Sequence, residues 1–195
     1  AAYAGARVVL EVGTHSPWVS RHLTQQGYDV VVANPGHVRR IGGVVKKSDG
    51  IDAELLARLG RADPALLRPI VHRGAAVQRD RALLRVRDHV VRMRTGLILQ
   101  ARGLAKALGT RLPRCGAKGF ATRMRTTGLD EVFPGMATVC EVVAVLTEQV
   151  KTLNAMVARV THERYPETAR LRQVTGVGPI TARASNATLA DPARR

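Results

Sequence analysis

The chain has only two cysteines, Cys115 and Cys140, far apart and in no CxxC spacing. That excludes a disulfide framework and a zinc site built on paired thiolates, and leaves two ordinary buried thiols. Aromatic residues make up 3% of the 195 residues, too few for the stacking platforms on which RNA-recognition and oligonucleotide-binding folds hold single strands. Any nucleic-acid contact must therefore rest on phosphates and shape. No run of about 18 uncharged apolar residues occurs, so no spanning helix and no membrane partner is expected. The start, "AAYAGARVVLEV", lacks the basic-then-apolar order of a signal peptide and does not open with Met. A strand beginning so early predicts further sequence upstream, and the chain reads as cytosolic. The six histidines, His15, His22, His37, His72, His89 and His162, show no HExxH or other ligand spacing and read as structural or surface residues. Neither a Walker loop nor a nucleophile elbow is present. Trp18 and the methionines read as core.

Acidic residues are scarce as well, 15 against 31 Lys and Arg, for a net charge of +16 and a pI near 11.4. This points to a polyanionic partner, nucleic acid before an anionic membrane surface. A hydrophobic share of 45% excludes a disordered basic tail. The charge is uneven. Residues 1 to 70 carry 9 basic and 6 acidic groups, residues 71 to 130 carry 14 and 3, and residues 131 to 195 carry 8 and 6. The middle segment is the polyanion candidate.

In the first third, "RVVLEV" (7 to 12) and "YDVVVA" (28 to 33) are β-branched runs. Between them "SPWVSRHLTQQG" predicts a helix capped by Ser16, with Pro17 at its first position and Gly27 ending it. That order is a βαβ unit, hence a parallel sheet, whose polar sites gather beyond the carboxyl ends of the strands. Glu11 lies there, in a run whose apolar character predicts burial, and a buried carboxylate must be paired or hold a metal. "NPGHVRRIGG" (34 to 43) reads as a loop.

Next, "SDGIDAELLARLGRAD" predicts a helix capped by Ser48, with Leu55, Leu56 and Leu59 on one face. Asp49 and Asp52, at i and i+3, share its first turn. The helix dipole and capping explain acids there without any chemistry. Grouped with Glu11, the same carboxylates would suit Mg²⁺, which takes hard oxygen ligands.

Residues 75 to 109 form one long heptad-like helix, with Val77, Leu84, Val91, Ile98, Ala101, Ala105 and Leu108 at steps close to multiples of 3.5. Arg79, Arg81, Arg85, Arg87, Arg92, Arg94, Arg102 and Lys106 occupy its other faces, opposed only by Asp80 and Asp88. A solvated face usually mixes signs, so this one suits phosphate. A second periodic segment, 136 to 167, carries Val139, Val142, Val143, Leu146, Val150, Leu153, Val157 and Val160 along one stripe. The two helices either pair antiparallel as a hairpin or each pair with a second copy. Near the end, Gly176 and Gly178 precede a helical "ITARA"; such a turn either presents backbone N–H groups to phosphate, as helix-hairpin-helix modules do, or simply joins two helices.

Taken in order, "LEVGTHSPWVSRHL", "GYDVVVANPGHVRRI", "KKSDGIDAELLARLGRADPALLRPI", the Arg-rich helix and "LRQVTGVGPITA" resemble the DEDD transposases of the insertion sequence 110 family, relatives of the Piv-type DNA invertases. The resemblance covers nearly the whole chain and is most specific over 46 to 70. It implies an α/β fold: a partial RuvC-like (RNase H-like) parallel-sheet domain in residues 1–70, a helical coiled-coil region in 71–165, and the start of a helical transposase domain in 166–195. It also implies DNA transposition and recombination with Mg²⁺, in the bacterial cytoplasm at the nucleoid. DNA and a structured noncoding guide RNA would be the partners.

By motif, Glu11 matches the family's second acid, and Asp49 and Asp52 its third and fourth, as catalytic metal ligands. Lys46 and Lys47 would steer phosphate beside them. The first acid would precede residue 1 and the nucleophilic serine would follow Arg195, since Ser185 is too close to the glycine turn to match it. The expectation is a chain truncated at both ends and catalytically impaired as given, or else a DNA- or RNA-binding remnant without chemistry.

Overall fold

The computed structural model describes residues 3, 5–42 and 48–189. They fall into two compact units, Ala1–Gly74 and Ala75–Arg195.

In the first unit the two β-branched runs are strands β1 (Arg7–Glu11) and β2 (Asp29–Ala33). They pair in parallel, in register from Arg7↔Asp29 to Glu11↔Ala33. The helix between them, α1 (Ser16–Gln25), starts at Ser16 with His15 in the capping position and no side-chain cap bond. Ser16 does not cap α1 as expected. Its buried hydroxyl donates to Gly13 O at 2.9 Å, accepts the Gly13 N–H at 3.1 Å and meets His72 Nε2 at 2.9 Å. Gly27 does end the helix, at φ 85°, a left-handed value that glycine adopts freely.

The expected loop at 34–43 is instead a helix, α2 (Pro35–Gly42). The Asn34 side chain accepts from Gly36 N at 3.0 Å, so "NP" acts here as N-cap and first helical residue, not as a breaker. A third helix, α3 (Asp49–Ala62), is followed by a 3-10 turn, Pro64–Leu67. Arg68 then takes φ 41°, which turns the chain along β2: Asn34 N donates to Leu67 O at 3.0 Å and Ile70 N to Val32 O at 2.9 Å. The core of this unit is Val31, Ala33, Val38 and Leu67, with Val9, Leu55, Leu56 and Leu59 packed against it. Trp18, expected in a core, is 55% exposed.

The second unit is helical. The two long periodic segments are α4 (Ala75–Ala107) and α6 (Met136–Arg164). They pair with each other, antiparallel: Asp80 meets Arg164 and Tyr165, and Arg87 meets Asn154. Between them lies α5 (Phe120–Thr126), whose Phe120, Ala121 and Met124 close the end of the hairpin over Ile98, Ala101, Ala105, Met136, Cys140 and Val143. Burying a large side chain such as Phe120, Met124 or Met136 is worth about 1.5–3 kcal/mol, so this plug adds to the cohesion of the α4–α6 pair.

Along α6 the buried Thr147 and Thr161 hydroxyls donate to Val143 O and Val157 O, one turn back, which satisfies them inside an apolar stripe. Two shorter helices, α7 (Thr168–Leu171) and α8 (Pro179–Leu189), follow. Met124 and Met136 are core as expected, whereas Met93 and Met156 are exposed.

Candidate nucleic-acid interface

Ser48 caps α3 as its sequence predicts: its backbone is extended and its hydroxyl accepts from Ile51 N at 3.3 Å. Asp49 and Asp52 follow in the first turn, both exposed. Glu11 ends β1 and is exposed, not buried as the apolar run suggested. The strand's last side chain faces outward, so nothing compels it to find a partner. The helix packs on the strand where Gly60 meets Val9. Among the described residues, no group of three or more His, Cys, Asp or Glu side chains is placed to hold a metal ion. Glu11, Asp49 and Asp52 are not gathered into such a group. Lys46 and Lys47 lie outside the described residues.

The cations of α4 divide by what the hairpin does with them. Arg79, Arg85 and Lys106 are exposed. Arg92 is exposed but ion-paired with Asp88 one turn back. Arg87 Nε donates to Asn154 Oδ1 at 3.0 Å, and Arg81 has polar contacts of its own. Arg94 is only 8% exposed, and its Nε and Nη1 have no hydrogen-bond partner. Arg102 turns inward: Nη1 donates to Leu112 O at 3.4 Å and Nη2 to Pro113 O at 3.1 Å, while the guanidinium lies 5.6 Å from the Phe120 ring centroid. Asp80 is also withdrawn from the surface, paired with Arg164 at 2.9 Å. Burying that carboxylate leaves the outer face of the helix more basic than its composition suggests.

Sequence reasoning centred on the helix missed the connection after it. Arg111, Arg114, Lys118, Arg123 and Arg125 are all exposed, and no acid stands between Ala107 and Leu129. The signal was the charge of residues 71 to 130, which these five side chains supply in good part.

In the C-terminal stretch Gly176 takes φ 87° and Val177 N donates to Val174 O. Gly178 O then accepts from Ala182 N at 2.9 Å, within the first turn of α8. Gly176 and Gly178 are exposed, with open space around both.

Among the described residues, His37 and Cys140 are shifted in their titration. Desolvation, then the nearby guanidiniums of Arg40 and Arg68, hold His37 below the usual histidine range. Burial raises the Cys140 thiol, with Arg125 opposing and Asp130 adding to the shift. No helix among the described residues is long and apolar enough to cross a membrane.

A family model for the DEDD transposases of insertion sequence 110, described as "Transposase", matches residues 3–108. The chain is also similar to a curated protein of Pseudomonas aeruginosa named "Probable family 20 transposase", 29% identical over 192 residues. The match takes in 94% of this chain and 55% of that relative, so the chain spans about half the relative's length. No solved structure matches it.

Proposed function

The chain belongs to the DEDD transposase family of insertion sequence 110, and from that premise we propose that it serves DNA transposition by gripping sugar-phosphate backbone with its basic helical unit. The observation that carries this reading is the charge of residues 71 to 130, 14 cations against 3 acids, of which Arg79, Arg85, Lys106, Arg111, Arg114, Lys118, Arg123 and Arg125 stand exposed on α4 and the connection after it. In this reading residues 1–70 are a RuvC-like domain, 71–165 a coiled-coil insertion, and 166–195 the start of the transposase domain. Glu11, Asp49 and Asp52 are the family's acids. Lys46 and Lys47 steer phosphate toward them, and Gly176 and Gly178 offer a backbone contact. A structured guide RNA is a second polyanion for the same cations. The relative's name, a probable transposase, supports the DNA reading. No step is assigned to Mg²⁺, since the described residues show no group of metal ligands.

The test is affinity for a labelled DNA duplex as a function of salt. Log affinity should fall linearly with log salt, by roughly 0.9 for each phosphate neutralised. Arg79→Glu with Arg85→Glu should weaken binding across sequences and flatten the slope. Affinity that does not respond to salt sinks the reading.

The basic charge of residues 71 to 130 suits equally a second reading, nucleic-acid binding without chemistry. Strand cleavage by this chain that requires Mg²⁺ and disappears in Glu11→Ala or Asp49→Ala would overturn it.

A further inference from the structure

Where α4 ends, the chain folds back against its last turns and encloses a concavity of about 470 Å³. Gly109 makes the fold possible: it takes φ 79°, and Thr110 N reaches back to Ala105 O at 2.8 Å, a left-handed helix stop that glycine allows. Leu112 is buried in the plug below. Arg102 fixes the returning segment by donating to Leu112 O and Pro113 O. Its own rotamer is set from the other side by the Phe120 ring. One wall is therefore a cation held in place by the fold.

The rest of the lining continues the same chemistry. Lys106, Thr110, Arg111 and Arg114 face the concavity, and no carboxylate does. Four like charges around one hollow repel each other and raise its potential by an amount that only an anion relieves. Guanidinium forks and an ammonium, with a hydroxyl among them, match phosphate oxygens best. The volume falls in the range of ligand sites, about 300–1,000 Å³, larger than one phosphate needs. The nearest aromatic ring, Phe120, is buried and covered by Arg102, so no face is offered to a base or a nucleoside. The lining contains no carboxylate or amide side chain for cytosine or adenine edges; its Arg and Lys groups can also meet guanine edges, so equal binding of unrelated duplexes is the check on sequence independence.

We propose that this concavity is a phosphate site that clamps a nucleic-acid backbone at the α4 end of the hairpin, independently of base sequence. The inference rests on the reading above that the chain binds nucleic acid, and it assigns that binding a second place beyond the outer face of α4. It requires Arg111 and Arg114, which exposure leaves available and which the fold does not need.

The test compares two charge reversals in the full chain, Arg111→Glu with Arg114→Glu at the concavity and Arg79→Glu with Arg85→Glu on the helix. Binding of a labelled duplex is measured across salt, and melting curves check folding. The concavity variant should lose about tenfold or more in affinity at physiological salt, and its salt slope should drop by roughly 0.9 for each phosphate it no longer neutralises. Duplexes of unrelated sequence should be affected equally. Arg111→Lys with Arg114→Lys should recover most of the binding, and Arg111→Gln with Arg114→Gln replaces the reversal if that variant melts early.

If the concavity variant binds like the parent while the helix variant weakens, the clamp is wrong and the broader reading stands. If neither responds, both fail. Free ATP and pyrophosphate supply the other source of the same phosphate chemistry. If either raises the melting temperature through Arg111 and Arg114 while duplex affinity ignores those residues, the site takes a small phosphate ligand and the clamp is overturned.

Discussion

The carboxylate of Asp80, near the start of α4, accepts from Arg164 Nη1 at 2.9 Å and from the Tyr165 hydroxyl at 2.7 Å at the end of α6. Asp80 is 7% exposed and the Arg164 side chain 50%. The two charges are thus unequally desolvated, and the buried one depends on the pair. Asp80→Ala removes the buried charge and leaves a half-exposed Arg164, so it should lower the unfolding free energy of the chain by about 1–2 kcal/mol, and Tyr165→Phe by about 1 kcal/mol. Urea denaturation measures both. An Asp80→Ala chain as stable as the parent would show that the open ends of the two helices are held by their apolar stripes alone.

Gly60 is where α3 crosses β1. A Cβ there would lie 2.4 Å from Val9 Cγ2, on a β-branched side chain held in a strand with little freedom to move. Alanine would raise helix propensity by about 1 kcal/mol, yet the overlap costs about 1–3 kcal/mol. Gly60→Ala should therefore be neutral or destabilising, and Val9→Ala should reverse its effect. Thermal melting of the two single variants and the double variant measures the coupling. A single variant that melts well above the parent would mean that helix and strand separate at no cost.

His37 supplies a pH dependence. Its folded pKa lies below the ordinary 6.5, so the unfolded chain takes up a proton more readily than the folded one. Stability is then complete above about pH 6.5 and falls as the pH drops from there through the folded value. His37→Gln should flatten the stability profile over that window. An unchanged profile in the variant would assign the loss to other groups.

Arg94 is a guanidinium inside the hairpin with two nitrogens lacking hydrogen bonds. A methionine has similar reach and no such demand, so Arg94→Met should stabilise the helical unit by about 1–2 kcal/mol without weakening DNA binding. A loss of stability instead would reveal a polar partner for Arg94 in solution.

Local pattern alone determined much of this protein. β-branched runs became β1 and β2, Ser48 capped α3, and two apolar repeats near 3.5 residues became α4 and α6. These follow from steric and capping rules that act over a few residues. The family was legible for a related reason: its motifs are short, ordered stretches that survive in the chain as written. Misreadings arose where one residue type serves two purposes. Asn34 and Pro35 can break a chain or start a helix, and Asn34's bond to Gly36 N decides for the helix. Ser16 can cap a helix or bond within a loop, and His72, far along the chain, helps hold it in the loop.

Only the tertiary structure decided which charges face solvent. On an isolated helix, Arg79, Arg87, Arg94 and Arg102 are equivalent cations. Pairing with α6 occupies Arg87 and is accompanied by the burial of Arg94, and the segment returning after α4 binds Arg102. That segment also gathers Arg111 and Arg114 around Lys106, a grouping that no helical period encodes. The seating on β1 of α3, which carries Asp49 and Asp52, is of the same kind: it is set by packing at Gly60 and Val9, residues with no charge at all.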